Sequence, residues 1–303
     1  MSQGTIGEPP VEQCDVLDKS GLSKYRALRA KWLGWIQTDP NHSIWNQIFA
    51  MISNDLAVQT ISYAAQNDAE SPLHNQLLAR TILQGHQDAQ ILGIRRLIDK
   101  RPDVVSLGRL LNEIKDNLNV FTREIYVSGD GQPYDNTALP GLWSKATHSR
   151  FDRLSLVASD QRKRTDRISK SLIDHLVDHI RKSGARDVVK WSHQFVAHAG
   201  DAQTAQWRDL EVTFEKVASA QRSIAQVVQL ISWQLLQAPA LGPLVPAEHS
   251  PFAHFDRLVN SEALEMARQR RDEIEKDRNS WLHNDWGSTD LLTLIGWPNP
   301  PGP

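Results

Sequence analysis

The sequence predicts an all-α protein built as an antiparallel bundle of long helices. Apolar residues recur at spacings of three and four over several long stretches, and no alternating pattern of strand length is visible. The chain has 303 residues, of which 40% are apolar and 23% charged, so it can bury a core and is not wholly disordered. The net charge of −2 provides no overall attraction to nucleic acid or to an anionic membrane. Binding to either therefore requires a local basic surface.

The first helices are predicted from their apolar stripes and their start and stop signals. Ser43 and Ser106 each precede such a stripe and are suited to cap a helix N-terminus. Pro72 opens a helix, and Pro102 ends it, because proline disfavours helical backbone in the preceding residue. The predicted segments are 22–36, 44–66, 72–99 and a short helix after Ser106.

The later helices are longer and more widely separated. A turn-rich surface loop is expected over 128–143, and Gly184 is expected to end a long helix. The predicted helices are 152–182, 185–198, 203–236 and 252–282. The resulting domain division is a mobile tail over 1–20, a bundle over 21–238, a Pro-rich linker over 239–251, and a C-terminal helix and coil over 252–303.

Several classes of site are excluded by the residues that the chain lacks. The single cysteine, Cys14, rules out an internal disulfide and a cysteine metal centre. There is no Gly-rich phosphate loop, no nucleophile elbow and no HExxH motif, so we expect no cofactor and no metal. His175 and His179 lie one helical turn apart, but no third ligand accompanies them. The chain shows neither signal peptide nor membrane span, and we expect a cytoplasmic protein without membrane contact.

The segment 186–201, RDVVKWSHQFVAHAGD, carries the best candidate chemistry. On a helix, Arg186, Lys190 and His193 form one polar stripe, each a turn from the next. His198 instead falls on an apolar stripe. Several interpretations of these residues stay open. His198 is a catalytic or ligand-binding residue, a hydrogen-bonded core histidine, or a residue with a role at the helix end near Asp201. Arg186 and His193 are functional groups or part of a solvated helix face.

In this segment an aromatic residue is followed by two polar residues, an apolar residue, Ala-His and then an acid. This pattern resembles the His-bearing helix of the HEPN superfamily, most closely its abortive-infection AbiU-type branch. The stretch 94–114, IRRLIDKRPDVVSLGRLLNEI, resembles the helix, break and helix of that branch. The resemblance covers roughly residues 25–237. It implies a small helical bundle, often a homodimer, related to phage-defence and toxin–antitoxin systems. It also implies that catalytic members cut RNA without metal, using an Arg followed after four to six residues by a His.

The chain departs from this pattern at the position of the catalytic arginine. If His198 is the family histidine, the arginine is expected at Trp191, Ser192 or His193, and none of these is Arg. A second alignment pairs Arg186 with His193. The same spacing also occurs elsewhere, in Arg80 with His86 and in Arg278 with His283, about as often as chance predicts.

Two hypotheses follow. The favoured one is a degenerate, non-catalytic bundle that binds RNA or a protein partner. The alternative is a metal-independent endoribonuclease in which His198 or His193 is the general acid or base and Arg186 or Lys190 supplies charge. A separate basic run in the predicted helix 152–182 is a candidate RNA-binding surface or an ordinary solvated face. It consists of Arg162, Lys163, Arg164 and Arg167.

Overall fold

The computed structural model describes residues 8–39, 42–135, 142–196, 212–245, 251–282 and 290–302, and within these ranges it is an all-α helical bundle without strands. The prediction of the fold class is therefore confirmed. The α-helices are α1 (Lys19–Leu33), α2 (Ile44–Gln66), α3 (Gln76–Leu97), α4 (Leu107–Asp116), α5 (Arg123–Ser128), α6 (Leu142–Ser155), α7 (Lys170–Ile180), α8 (Arg186–Trp191), α9 (Phe214–Leu230), α10 (Ser261–Ser280) and α11 (Leu291–Leu294).

Both predicted N-caps are present. The Ser43 hydroxyl accepts a hydrogen bond from the Asn46 amide at 3.2 Å, and the Ser106 hydroxyl accepts one from the Arg109 amide at 3.1 Å. Each bond satisfies an amide that has no partner within its own helix. The predicted starts of α2 and α4 are confirmed for this reason.

Helix α9 is the centre of the bundle. Its residues from Ser223 to Leu230 are all buried, so it is covered on every side. Three buried glutamines of α9 bond to neighbouring segments, and one of them, Gln226, donates to the Trp281 carbonyl at 3.1 Å. Gln229 accepts from the Leu241 amide at 3.1 Å, and Gln221 donates to Gln90 at 2.6 Å. These bonds fix the positions of α3 and of the segment after α9. None of the described helices is long and apolar enough to cross a membrane.

The predicted long helix 152–182 is wrong in its first half. Helix α6 ends at Ser155, residues 156–169 form a loop, and α7 begins at Lys170. Leu156 has a φ of 60°, which breaks the helical path. The loop is too polar to offer an apolar face. Its backbone bonds to α5 instead, where the Arg123 amide donates to the Asp166 carbonyl at 2.8 Å.

Two segments that the sequence predicts as a tail and a linker have buried residues in the described part of the chain. Cys14 and Val16, assigned to the tail in the sequence analysis, are buried in the main core. Leu244 and Val245 of the Pro-rich segment are buried as well. The division into domains nevertheless stays a prediction, because residues 1–7 and 246–250 lie outside the described part of the chain.

Helix α10 packs along α2 of its own chain. A second, smaller core fills the contact between the end of α2, the first turns of α10 and the segments that precede α3 and α10. Its buried members are Ala64, Leu73, Val259, Ala263, Leu264 and Ala267. The C-terminal helix is thus held by its own bundle.

Candidate functional site

The predicted polar stripe lies on the outer side of α8. Gly184, with a φ of 90°, turns the chain between α7 and α8, which explains why glycine stands there. Arg186, Lys190 and His193 are exposed to solvent. Val188 is fully buried on the opposite side of the helix. The structure thus places the three stripe residues on one surface, while His198 lies outside the described residues.

None of the three positions at which the arginine before His198 is expected carries Arg. Ser192, six residues before His198, is fully buried. Trp191 is half-buried and packs against the main core. His193 is the exposed residue of the three. The Ser192 side chain is uncharged. Because it is buried, it also cannot contact a substrate in this packing.

Helix α8 packs against α3 and brings Arg186 towards a basic run at the end of α3. Two adjoining depressions, of about 280 and 740 Å³, share Ile98 and Val189 in their walls. We call this surface the basic groove. The cations that line it are Arg95, Arg96, Lys100, Arg101, Arg181 and Arg186.

The basic groove has a strong excess of positive charge. Asp99 is the one carboxylate among its lining residues, and it pairs with Arg101 at 3.0 Å. Burial raises the pKa of Asp99, but hydrogen bonds from Arg101 more than offset this, so the pKa lies below its usual value. Arg181 pairs with Asp178 at 3.1 Å on the α7 side. The other four cations form no ion pair with a described residue. They are Arg95, Arg96, Lys100 and Arg186.

The second predicted basic cluster lies on the 156–169 loop, and its placement on a long helix was wrong. Arg162 Nε lies 3.1 Å from Asp152 Oδ1, and Arg164 Nη1 lies 2.9 Å from Asp15 Oδ1. The Arg164 guanidinium also sits 4.1 Å from the centre of the Tyr134 ring. Two of the four cations therefore hold the loop to the bundle, whereas Lys163 and Arg167 are exposed.

A third polar cluster was missed by sequence reasoning because its members are far apart in the chain. Asp55 of α2 accepts bonds from Gln59 at 2.7 Å, from Arg278 at 3.1 Å and from His86 at 3.3 Å. Burial by itself raises the pKa of Asp55, but the bonds from His86 and Arg278 outweigh it, and the pKa is lowered. The sequence feature that could have revealed this cluster is Asp55 itself, a carboxylate inside the apolar stripe of α2.

This cluster borders a cavity of about 550 Å³ between α2, α3, α9 and α10. Arg278 carries the Arg-to-His spacing noted above, but its guanidinium already contacts the carboxylates of Asp55 and Asp277. Its positive charge is therefore neutralised within the protein. His283, its partner in that spacing, lies outside the described residues.

The histidine pair on α7 makes contacts within the fold. His175 Nε2 lies 2.8 Å from the Ile295 carbonyl oxygen, and His179 Nε2 lies 3.2 Å from Gln226 Oε1. Each ring thus donates to a segment packed against α7. In the part of the chain that the structure describes, no group of three His, Cys, Asp or Glu side chains is placed to hold a metal ion.

The comparison with protein families supplies one finding. A family model described as HEPN_AbiU2, AbiU2, matches residues 42–273. This range includes α2 to α9, the basic groove, and most of α10. No curated protein and no solved structure matches the chain.

Proposed function

The chain belongs to the HEPN_AbiU2 family, and on that premise we propose that it binds RNA through the basic groove without cleaving it. The observation that carries the proposal is the charge of the groove, where six cations face one carboxylate. Lys and Arg side chains bind phosphate oxygens and release condensed counterions. A protein with a net charge of −2 needs such a local surface for this task.

The groove is suited to the phosphate backbone more than to base edges. Its centre is aliphatic, formed by Ile98 and Val189, and its rim carries the guanidinium and ammonium groups. Arg186 and Lys190, both predicted as functional, lie on the α8 side and extend the positive surface along that helix. We therefore expect binding of single-stranded RNA with little sequence preference.

The lack of an Arg at the expected positions before His198 supports binding over cleavage. A general acid or base cuts RNA efficiently only with a cation that stabilises charge on the phosphate. Before His198, Trp191 and Ser192 occupy two of the positions for that cation, and neither side chain is basic. The accompanying proposals are a cytoplasmic homodimer and a role in abortive infection, with RNA rather than a protein as the primary partner.

The test compares two variants with equal change of charge. Arg96→Glu/Arg186→Glu reverses two exposed cations of the groove, and Lys163→Glu/Arg167→Glu reverses two exposed cations of the 156–169 loop. Affinity for a fluorescent single-stranded RNA is measured by anisotropy over a range of salt. We expect a logarithmic salt slope of about −3 for the parent protein, from four phosphate contacts. The groove variant should lose more than about tenfold in affinity and the loop variant much less.

Either of two results would overturn the groove proposal. Equal losses in both variants would indicate diffuse charge attraction, and a larger loss in the loop variant would assign RNA to the loop cluster. The same RNA is also incubated with the parent, His193→Ala and His198→Ala proteins in chelator. Cleavage by the parent that disappears in one folded variant would replace the binding role with ribonuclease chemistry. Sedimentation of the same samples measures the oligomeric state.

A further inference from the structure

Helix α3 has two apolar faces, and the bundle covers one of them. On that face, Ile91, Ile94 and Leu97 are fully buried in the main core. Four of the six exposed large apolar side chains in the described part of the chain also belong to α3, and they are Leu77, Leu78, Leu83 and Leu92. A surface helix needs a single apolar face to pack on its own core. The exposed apolar residues of α3 therefore indicate contact with another molecule.

Part of this exposed surface follows the spacing of a coiled coil. Five residues recur in alternating steps of four and three, as do the a and d positions of a heptad. We call them the α3 stripe, and they are Leu78, Ile82, Gly85, Ala89 and Leu92. Leu78 is 41% exposed and Leu92 is 36% exposed, Gly85 and Ala89 are exposed, and Ile82 is half-buried. The α3 stripe extends for about 21 Å along the helix, which is enough to seat a partner helix of several turns.

The middle of the α3 stripe leaves room for a close neighbour. A Cβ placed on Gly85 would meet no atom within 4 Å, and Ala89 one turn later carries only a methyl group. Small residues let the backbone of a second helix approach closely, while Leu78 and Leu92 at the two ends offer aliphatic anchors. This open shape fits an amphipathic helix better than a small ligand, which is usually enclosed by its site.

The charge around the α3 stripe selects the sign of the partner. Helix α3 carries three arginines and one aspartate, which is a net charge of +2. Arg96 continues the α3 stripe one turn after Leu92, and Arg95 and Arg96 line the basic groove without an ion pair to a described residue. Packing two copies of α3 together would bring like charges together, whereas the carboxylates of another protein would pair with these arginines. The occupant that the charges favour is therefore acidic and is not a second copy of this chain.

We propose that the α3 stripe docks an acidic amphipathic helix of a partner protein. The apolar face of that helix covers the α3 stripe, and its carboxylates pair with Arg95 and Arg96. Ala89 and Leu92 of the α3 stripe also line the larger depression of the basic groove. The bound helix therefore covers part of that groove and excludes RNA from it, a consequence that rests on the proposed function.

The test measures, by fluorescence anisotropy, the binding of a labelled synthetic peptide of about three heptads, with Leu at a and d and Glu at e and g. The matched peptide has Lys in place of Glu. We expect the Glu peptide to bind and the Lys peptide not to bind. Leu78→Ser/Leu92→Ser should weaken binding about tenfold through lost apolar contact. Leu77→Ser/Leu83→Ser makes the same exchange at two exposed leucines outside the α3 stripe and should leave the affinity nearly unchanged. Circular dichroism checks that each variant is folded.

Chemical labelling of Ala89→Cys with a maleimide tests which molecule covers the α3 stripe. Cys14 is buried, so the introduced thiol is the accessible one. We expect rapid labelling of the free protein and slow labelling in the presence of the Glu peptide. Slow labelling that becomes faster on dilution would assign the α3 stripe to a second copy, and slow labelling at every concentration would assign it to the chain itself. Either result would overturn the proposal, as would equal binding of the two peptides or equal losses in the two leucine variants.

Competition with RNA separates this proposal from the groove proposal. We expect the Glu peptide to displace single-stranded RNA from the parent protein, and Leu78→Ser/Leu92→Ser to keep RNA binding while it loses the peptide. A parent protein that binds the peptide but not RNA would contradict the groove proposal alone. A parent protein that binds RNA but not the Glu peptide would overturn the docking proposal alone, and RNA that stays bound beside the peptide would contradict the overlap of the two surfaces.

Discussion

Arg123 and Asp152 form an ion pair, with Nη1 and Oδ1 2.6 Å apart, in which the Arg123 side chain is completely buried. Asp166 pairs with the same guanidinium, with its Oδ2 2.9 Å from Arg123 Nε. Arg162, which lies on the 156–169 loop, also forms an ion pair with Asp152. These four residues join α5, α6 and the 156–169 loop, and they explain how a polar loop is held where the sequence predicts a helix.

We expect Asp152→Asn to destabilise the protein by about 3–5 kcal/mol, because it leaves the buried charge of Arg123 incompletely compensated. The matched control is Asp174→Asn. Asp174 pairs with Lys115 at 2.7 Å, but both side chains are at least half exposed. Exposed pairs contribute about 0–1 kcal/mol. Urea denaturation monitored by circular dichroism measures both free energies of unfolding, and similar losses would contradict the role of burial.

Stability should fall as the pH is lowered from about 6.5. Burial lowers the pKa of His148, and the nearby Arg162 and Arg123 add to this; burial likewise lowers the pKa of His179. The unfolded chain then binds protons at a pH where the folded protein does not, so protonation favours unfolding.

Asp55 and Asp15 act in a different pH window, because their pKa values are lowered from 3.8. Their contribution is present above that value and is lost only as the pH falls below it. Free energies of unfolding at pH 7.5 and pH 5.0 therefore report the histidines. We expect His148→Gln to reduce the difference between them. The exposed His42 provides the control variant, His42→Gln, and an unchanged difference in His148→Gln would refute this assignment.

Two glycines should respond to alanine in opposite directions. A Cβ at Gly108 would lie 2.4 Å from the Ile98 carbonyl oxygen and 2.5 Å from that of Asp99, so Gly108→Ala must separate α4 from the end of α3. A Cβ at Gly85, within α3, would meet no atom within 4 Å. Gly85→Ala should stabilise the protein by about 0.5–1 kcal/mol through helix propensity. Melting temperatures of the two variants test this, and a neutral Gly108→Ala would contradict the close approach.

The C-terminal segment should contribute strongly to stability through Trp297. Its ring is buried, and its Nε1 donates to the Arg153 carbonyl at 2.8 Å. Trp297→Ala should cost about 3–5 kcal/mol, as expected for a large buried aromatic side chain. Residues 298, 299, 301 and 302 are exposed, so a chain that ends after Trp297 should keep nearly full stability. Denaturant midpoints of the two proteins compare these effects.

Local sequence patterns determined the fold class, the start of α2 and α4 and the turn at Gly184. Each depends on residues close together in the chain, such as an apolar stripe, a capping serine or a glycine with positive φ. The same local geometry determined that Arg186, Lys190 and His193 share one face of a helix, as the structure shows. Roles for these residues stay predictions, and so does any role of His198.

Only the tertiary structure decided which distant charges meet. Asp15 with Arg164, and Asp55 with Arg278, are partners separated by most of a domain, and no local period relates them. Asp15 with Arg164 and Asp152 with Arg162 turned half of the predicted basic cluster into internal ion pairs. The packing of α8 against α3 placed the end of α3 beside Arg186 as a positive surface. The physical reason is that a helix period determines which residues share a face, whereas the packing of helices determines what each face meets.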